Sequence, residues 1–139
     1  METKKETKLT WTGVLTMLRD QGVASIVVEY AGSGDSGAID HIGYLSEAET
    51  SRTADGNIDA SSYNSWDMLK DITPENEAEI YTFVEEAVYP ILNTFDDWWN
   101  DDGGQGALLI DTKNGKWYAN NGTNYSNVDY TYPDGKLEI

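Results

Sequence analysis

The segment Tyr89-Pro-Ile-Leu-Asn-Thr-Phe-Asp-Asp-Trp-Trp-Asn-Asp-Asp-Gly-Gly-Gln-Gly106 decides the fold. It reads as the end of an amphipathic helix running into a tryptophan pair, an acidic turn and a glycine cluster. A strand pattern, Ala107-Leu-Leu-Ile-Asp111, follows at once. A long helix that delivers the chain straight into a strand must lay its apolar face on the sheet that strand joins.

Upstream of this segment, Thr73-Pro74-Glu75 predicts the helix start, with Thr73 as cap and Pro74 at the first position. At about 100° per residue, Ile80, Val84, Ala87, Val88, Ile91, Phe95 and Trp98 share one broad face. Glu75, Glu79, Glu86 and Asp97 gather on the opposite side. Pro90 falls inside the pattern, so the helix kinks there or divides into two. Gly103 to Gly106 is read as its stop.

Downstream, Asn114-Gly115 is a hairpin signal and Lys116 to Ala119 the returning strand. Asn120 to Asn124 reads as a turn. Tyr125 to Tyr132 alternates, with Val128, Tyr130 and Tyr132 on one face, and Pro133-Asp134-Gly135 closes it.

In the first half, residues 1–8 read as a flexible arm. Leu9 to Gln21 has Trp11, Val14, Leu15 and Leu18 at helical spacing, Thr10 as a cap and Gly22 as a stop. Val23 to Gly32 switches to strand chemistry, with Ala24, Ile26, Val28 and Tyr30 on one face. Gly32-Ser-Gly-Asp-Ser-Gly37 reads as the turn of a hairpin, and Ala38 to Leu45 as its return. Ser46 to Asp71 is expected to be a long loop with one short helix. The sum is a single α+β domain over residues 9–139. It has an antiparallel or mixed sheet of about five strands, a hairpin plus a three-strand meander, with one short and one long helix packed on it.

The chain of 139 residues carries a net charge of −16 and no cysteine. Disulfides and thiolate metal sites are thereby excluded. So negative a surface disfavours direct nucleic-acid binding, because phosphates are repelled. No apolar signal core and no membrane-length run is visible, so the expected setting is the cytoplasm, without a membrane partner.

Two segments carry a resemblance. Val28-Glu-Tyr-Ala-Gly-Ser-Gly-Asp-Ser-Gly37 is a strand followed by a Gly-x-Gly-Asp-Ser-Gly turn, and Trp99-Asn-Asp-Asp-Gly-Gly-Gln-Gly106 leads into the next strand. Together they resemble a family of uncharacterised proteins of bacteria, phages and plasmids, defined only as a domain of unknown function. In that family Gly-Gly-Trp-Glu precedes the Asn, where this chain has Asp97-Trp98-Trp99. The resemblance implies a phage or mobile-element setting and no activity.

Four patterns invite chemistry. Gly34-Asp-Ser-Gly37 is similar to the nucleophile loop of chymotrypsin-like proteases, but the one histidine, His41, follows it closely and the chain is too short for two barrels. Glu29, Asp35, Asp40 and His41 surround the same turn, and clustered carboxylates there would bind a divalent cation or move protons. Asp55-Gly-Asn-Ile-Asp59 has alternating oxygen ligands like the start of a calcium loop. It lacks that loop's glycine and its closing glutamate. Asp96-Asp-Trp-Trp-Asn-Asp-Asp102 mixes aromatics and carboxylates as sugar-binding clefts do. Each also has an ordinary reading, as turn, solvated face or core packing.

The acid distribution is the stronger signal. From Asp71 to Asp102 there are ten acids and no Lys or Arg. Carboxylates one helical turn apart lie about 5–6 Å from each other, on the scale of neighbouring phosphates. The expected function is therefore a non-enzymatic acidic interaction protein that needs no metal or cofactor. It would dock on a basic host protein, a nucleic-acid-handling or defence enzyme, by imitating nucleic-acid charge. The expected partner-binding residues are Glu75, Glu79, Glu86, Asp96, Asp97, Trp99, Asp101 and Asp102. The alternatives are a small-ligand or carbohydrate-binding module using Trp99 and nearby acids, and a metal-dependent enzyme at the Glu29/Asp35/Asp40 tip.

Overall fold

The computed structural model describes residues 9–34, 36–60, 73–93, 101–124 and 128–137. They form an α+β unit. Helix α1 (Trp11–Asp20) leads to strands β1 (Ser25–Gly34) and β2 (Ser36–Leu45) and a 3₁₀ turn at Glu47–Glu49. Helix α2 (Glu77–Leu92) precedes β3 (Asp101–Asp111), β4 (Lys116–Asn124), β5 (Val128–Thr131) and β6 (Asp134–Lys136).

All strand pairs are antiparallel, and the sheet order is β2-β1-β3-β4-β5. The sixth strand has a simple cause. β5 pairs with Asn121–Asn124 of β4, and β6 pairs with its other end, Lys116–Tyr118. Both lie along one edge of β4, separated by Tyr132-Pro133. Proline has no N–H to give a ladder, but its carbonyl still accepts from Ala119 N at 2.8 Å. One edge strand is thus broken in two at Pro133. The expectation of a meander closed at Pro133 missed the second half.

β1 is an interior strand between β2 and β3, and its apolar run explains why. Ile26, Val27 and Val28 are all fully buried, so both faces are covered. On one face Ile26, Val28 and Tyr30 join Ile42, Tyr44, Leu108 and Ile110 beneath the helices. From α1 come Val14, Leu15 and Leu18, and from α2 come Ile80, Val84, Val88 and Leu92. On the other face Val27, Leu45, Ala107 and Leu109 meet Ile58 and Ala60 of the segment after β2. A β-bulge falls between Glu29 and Tyr30. Glu29 pairs with His41 and Tyr30 with Ile39, so Asp40 is the extra residue. The bulge shifts the alternation and returns Ile39 to the helix side, where it is buried.

α1 matches its sequence signals. Thr10 Oγ1 accepts from Gly13 N at 3.1 Å, and Gly22 takes a positive φ of 86° past the end. Trp11 meets Phe83 of α2 edge to face, with centroids 5.0 Å apart.

The long helix differs at both ends. It starts at Glu77, not at Thr73-Pro74, because Asn76 adopts the left-handed conformation at φ 61° and resets the chain. Pro74 is buried before the helix. The helix runs through Pro90 and ends at Leu92. Gly103–Gly106 is not its stop but part of β3, which opens at Asp101. Asn120–Asn124 is likewise strand rather than turn. These polar and glycine-rich positions are held by partners on both sides: Gly104 pairs with Gly32 and with Thr123. Phe95 and Trp98 lie outside the described residues.

Candidate functional site

The segment after β2 is not a free loop over residues 46–60. Ser25 and Thr50 hydroxyls are 2.9 Å apart. Thr53 N bonds to Asn57 O, and Arg52 bridges to Ile58, closing a tight hairpin at Gly56, whose φ is 88°. Tyr118 donates its hydroxyl to Asn57 Oδ1 at 3.1 Å. Asp55 is exposed on this turn and Asn57 Oδ1 is already engaged. The stretch that is like the start of a calcium loop, without that loop's glycine and closing glutamate, is a hairpin strapped across the sheet.

Arg52 is the fastening. Its Nε and Nη2 take both oxygens of Glu47, the latter at 3.0 Å. Its Nη1 donates to Gly56 O at 2.8 Å and to Asp111 Oδ2 at 2.9 Å. Asp111 is fully buried on β3, and its Oδ1 accepts from Lys113 N at 3.0 Å. The planar five-donor guanidinium satisfies all of these acceptors at once, as an ammonium cannot. The Arg52 hydrogen bond holds the Glu47 carboxyl below its ordinary value, and the two acids hold Arg52 above its own. Tyr118 is pushed up, first by burial and then by the charges of Asp111 and Asp134.

A second arginine lies close by. Arg19, in the last turn of α1, donates to Thr112 O and to Thr16 Oγ1, the latter at 3.2 Å. Buried Thr112 donates its hydroxyl back to Val23 O at 2.8 Å. Arg19, Arg52 and Lys113 line an open pocket of about 270 Å³, with Gly22, Val23, Ala24, Glu47 and Thr112. Sequence reasoning, drawn to the acids, did not find it. The signal was the scarcity of arginine: the chain has two, Arg19 and Arg52.

The expected acidic site is only partly in view. Glu75, Glu79 and Glu86 are exposed, as is Glu77. Glu79 and Glu86 are seven residues apart and point directly away from the buried Ile80, Val84, Val88 and Leu92 stripe. They stand two turns apart, about 10 Å along the axis, rather than one. Glu75 precedes the helix, its backbone N–H held by Gln21 Oε1 at 2.7 Å. Asp101 and Asp102 open β3. Asp96, Asp97 and Trp99 lie outside the described residues.

Of the hairpin-tip residues, Asp35 lies outside the described residues. β1 runs to Gly34 and β2 begins at Ser36. Five residues of strand separate Glu29 from Gly34, and five separate Ser36 from His41, about 17 Å in each case at the strand rise. Glu29 and His41 are cross-strand partners, but the tip lies far from both. Ser36 and His41 are not brought together by this register, whereas Glu29, Asp40 and His41 meet at the bulge. Among the described residues no group of three or more His, Asp or Glu is placed to hold a metal. Trp11 and Trp117 pack against the core, and Trp117 covers Gly135.

A family model, described as a family of unknown function (DUF6878), matches residues 7–132. The chain belongs to this family. Neither curated proteins nor solved structures gave a match. No helix among the described residues is long and apolar enough to cross a membrane.

Proposed function

We propose that this DUF6878 chain is a non-enzymatic interaction protein that docks on a basic partner through α2 and the residues just before it. One observation carries the reading. Glu75, Glu77, Glu79 and Glu86 are exposed, and residues 73–93 contain no Lys or Arg to neutralise them. Glu79 and Glu86 stand opposite the core stripe and make no contribution to packing. Such a surface speeds encounter with a cationic groove and loses strength as salt rises. In this reading the partner is a nucleic-acid-handling host protein, a defence enzyme among the candidates, and the setting is phage or mobile element.

The test is affinity capture from host lysate at low and high salt, run beside a variant with Glu75, Glu77, Glu79 and Glu86 all changed to Gln. A partner held at low salt, released at high salt and lost from the variant supports the proposal. With each exposed charge contributing roughly 0.2–1 kcal/mol, the fourfold variant weakens binding about fourfold or more. Equal capture by both forms removes α2 from the interface.

A further inference from the structure

We propose that the pocket between the end of α1 and the β3–β4 turn binds a small carboxylic acid. The lining is anomalous for a chain of net charge −16. Three of its nine basic residues meet there, including both arginines. Arg52 is satisfied by Glu47, Asp111 and Gly56 O. Arg19 and Lys113 have no carboxylate within salt-bridge distance among the described residues. Arg52, Glu47 and Asp111 sum to −1, and Arg19 with Lys113 adds +2, so the cluster carries +1. One carboxylate neutralises it.

The donors are already placed. Arg19 is held by Thr112 O and Thr16 Oγ1, yet remains exposed, so much of its fork faces solvent in a fixed orientation. Lys113 is exposed on the turn, whose backbone is fixed by the Asp111 carboxylate and by Gly115 N bonding to Asp111 O at 2.9 Å. A guanidinium with a nearby ammonium matches a carboxylate through charge-assisted hydrogen bonds. The space of about 270 Å³ suits a molecule of amino-acid size. Glu47 at the rim belongs to a triad of net charge −1 with Arg52 and Asp111, so it discourages a second anionic group and favours a monoacid over a diacid or a phosphate dianion.

The test is an amide NMR titration with sodium acetate, sodium succinate, sodium phosphate and sodium chloride at matched ionic strength. Saturable millimolar shifts at Gly22, Val23, Ala24, Thr112 and Lys113 with acetate, absent with chloride, are expected. Lys113→Gln and Arg19→Gln each weaken acetate roughly three- to tenfold. Lys116→Gln, with the same loss of charge outside the pocket, leaves binding unchanged. Lys113→Gln removes no side-chain hydrogen bond or salt bridge among the described residues, so its result stands even if Arg19→Gln unfolds. Shifts that never saturate, that chloride reproduces, or that Lys116→Gln weakens as much as Lys113→Gln overturn the proposal. Tighter binding of phosphate than of acetate overturns the choice of ligand.

Discussion

Replacing Arg52 with Met tests the strap most directly. An unbranched apolar stem is kept, and the charge and donors are lost. Asp111 is then a fully buried carboxylate left with one backbone N–H, and Gly56 O loses its donor. Breaking a buried ion pair from one side costs about 3–5 kcal/mol. That is a large share of the roughly 5–15 kcal/mol that holds a domain of this size together. Asp111→Asn is milder, because no charge is stranded: its single amide oxygen keeps one of the two donors, Lys113 N on Oδ1 or Arg52 on Oδ2, and only the other is lost. Its cost is about 1–2 kcal/mol. In the double variant the stranded charge is gone, so the combined loss falls short of the sum by about 1–3 kcal/mol. Urea unfolding followed by tryptophan fluorescence measures all three. A cost below about 1 kcal/mol for Arg52→Met, or strict additivity in the cycle, would refute the view that Arg52 exists to compensate Asp111. Hydrogen exchange adds a spatial check. The amides of Thr53, Gly56 and Asp59, bonded within the strap, should lose protection in Arg52→Met before those of β1.

Three further outcomes follow from the same contacts. Pro90→Ala restores a donor inside α2 at an exposed position; thermal denaturation should show stabilisation of up to about 3 kcal/mol, and a lower Tm would mean the proline bend is needed for packing. Gly106→Ala should destabilise, because a Cβ there would overlap the Asn120 carbonyl and lie 2.7 Å from Tyr30 Oη; trimming the ring with Tyr30→Phe relieves only the second clash, so it should rescue little of the loss. Glu47 has a lowered carboxyl value in the folded protein, caused first by Arg52, so its stabilising contribution is present above the ordinary glutamate value and disappears as pH falls through the lowered one. Glu47→Gln should therefore flatten the acid limb of the stability–pH curve below about pH 4.5 and leave the neutral side little steeper.

The parts of the fold written in periodicity were legible: α1 with its Thr10 cap, the β1–β2 hairpin and the Asn114-Gly115 turn all have local causes. The misreadings came where neighbours override local chemistry. Gly103, Gly104 and Gly106 look like a helix stop but lie in β3, with Gly104 and Gly106 paired on both sides, and Gly106 is the space into which Tyr30 extends. Asn76 ends the Thr73-Pro74 signal through a backbone angle that no side-chain pattern announces. The exposed glutamates of the candidate surface were legible from helical phase. The Arg52 strap was not, because its partners Glu47, Gly56 and Asp111 come together only after β3 has paired beside β1.

Charge is the currency in which structural and functional roles separate here. The chain has 25 acids against nine basic residues, so every cation placed in the fold is a scarce one. Arg52 is fully accounted for by the strap. Arg19 is half accounted for: it ties α1 to the β3–β4 turn, and a neutral donor would do the same without bringing charge to an open pocket. Lys113 makes no salt bridge among the described residues and acts on Glu47 only at longer range. The same subtraction applied to the acids sets Asp111 and Glu47 aside as partners of Arg52, and leaves Glu79 and Glu86 with nothing to hold. Among the described residues, two places of opposite sign stand out: a negative outer face on α2 and a positive pocket at the end of α1. The two should therefore respond oppositely to charge removal. Neutralising the glutamates should weaken a cationic partner while leaving acetate binding at the pocket intact, and Lys113→Gln should do the reverse.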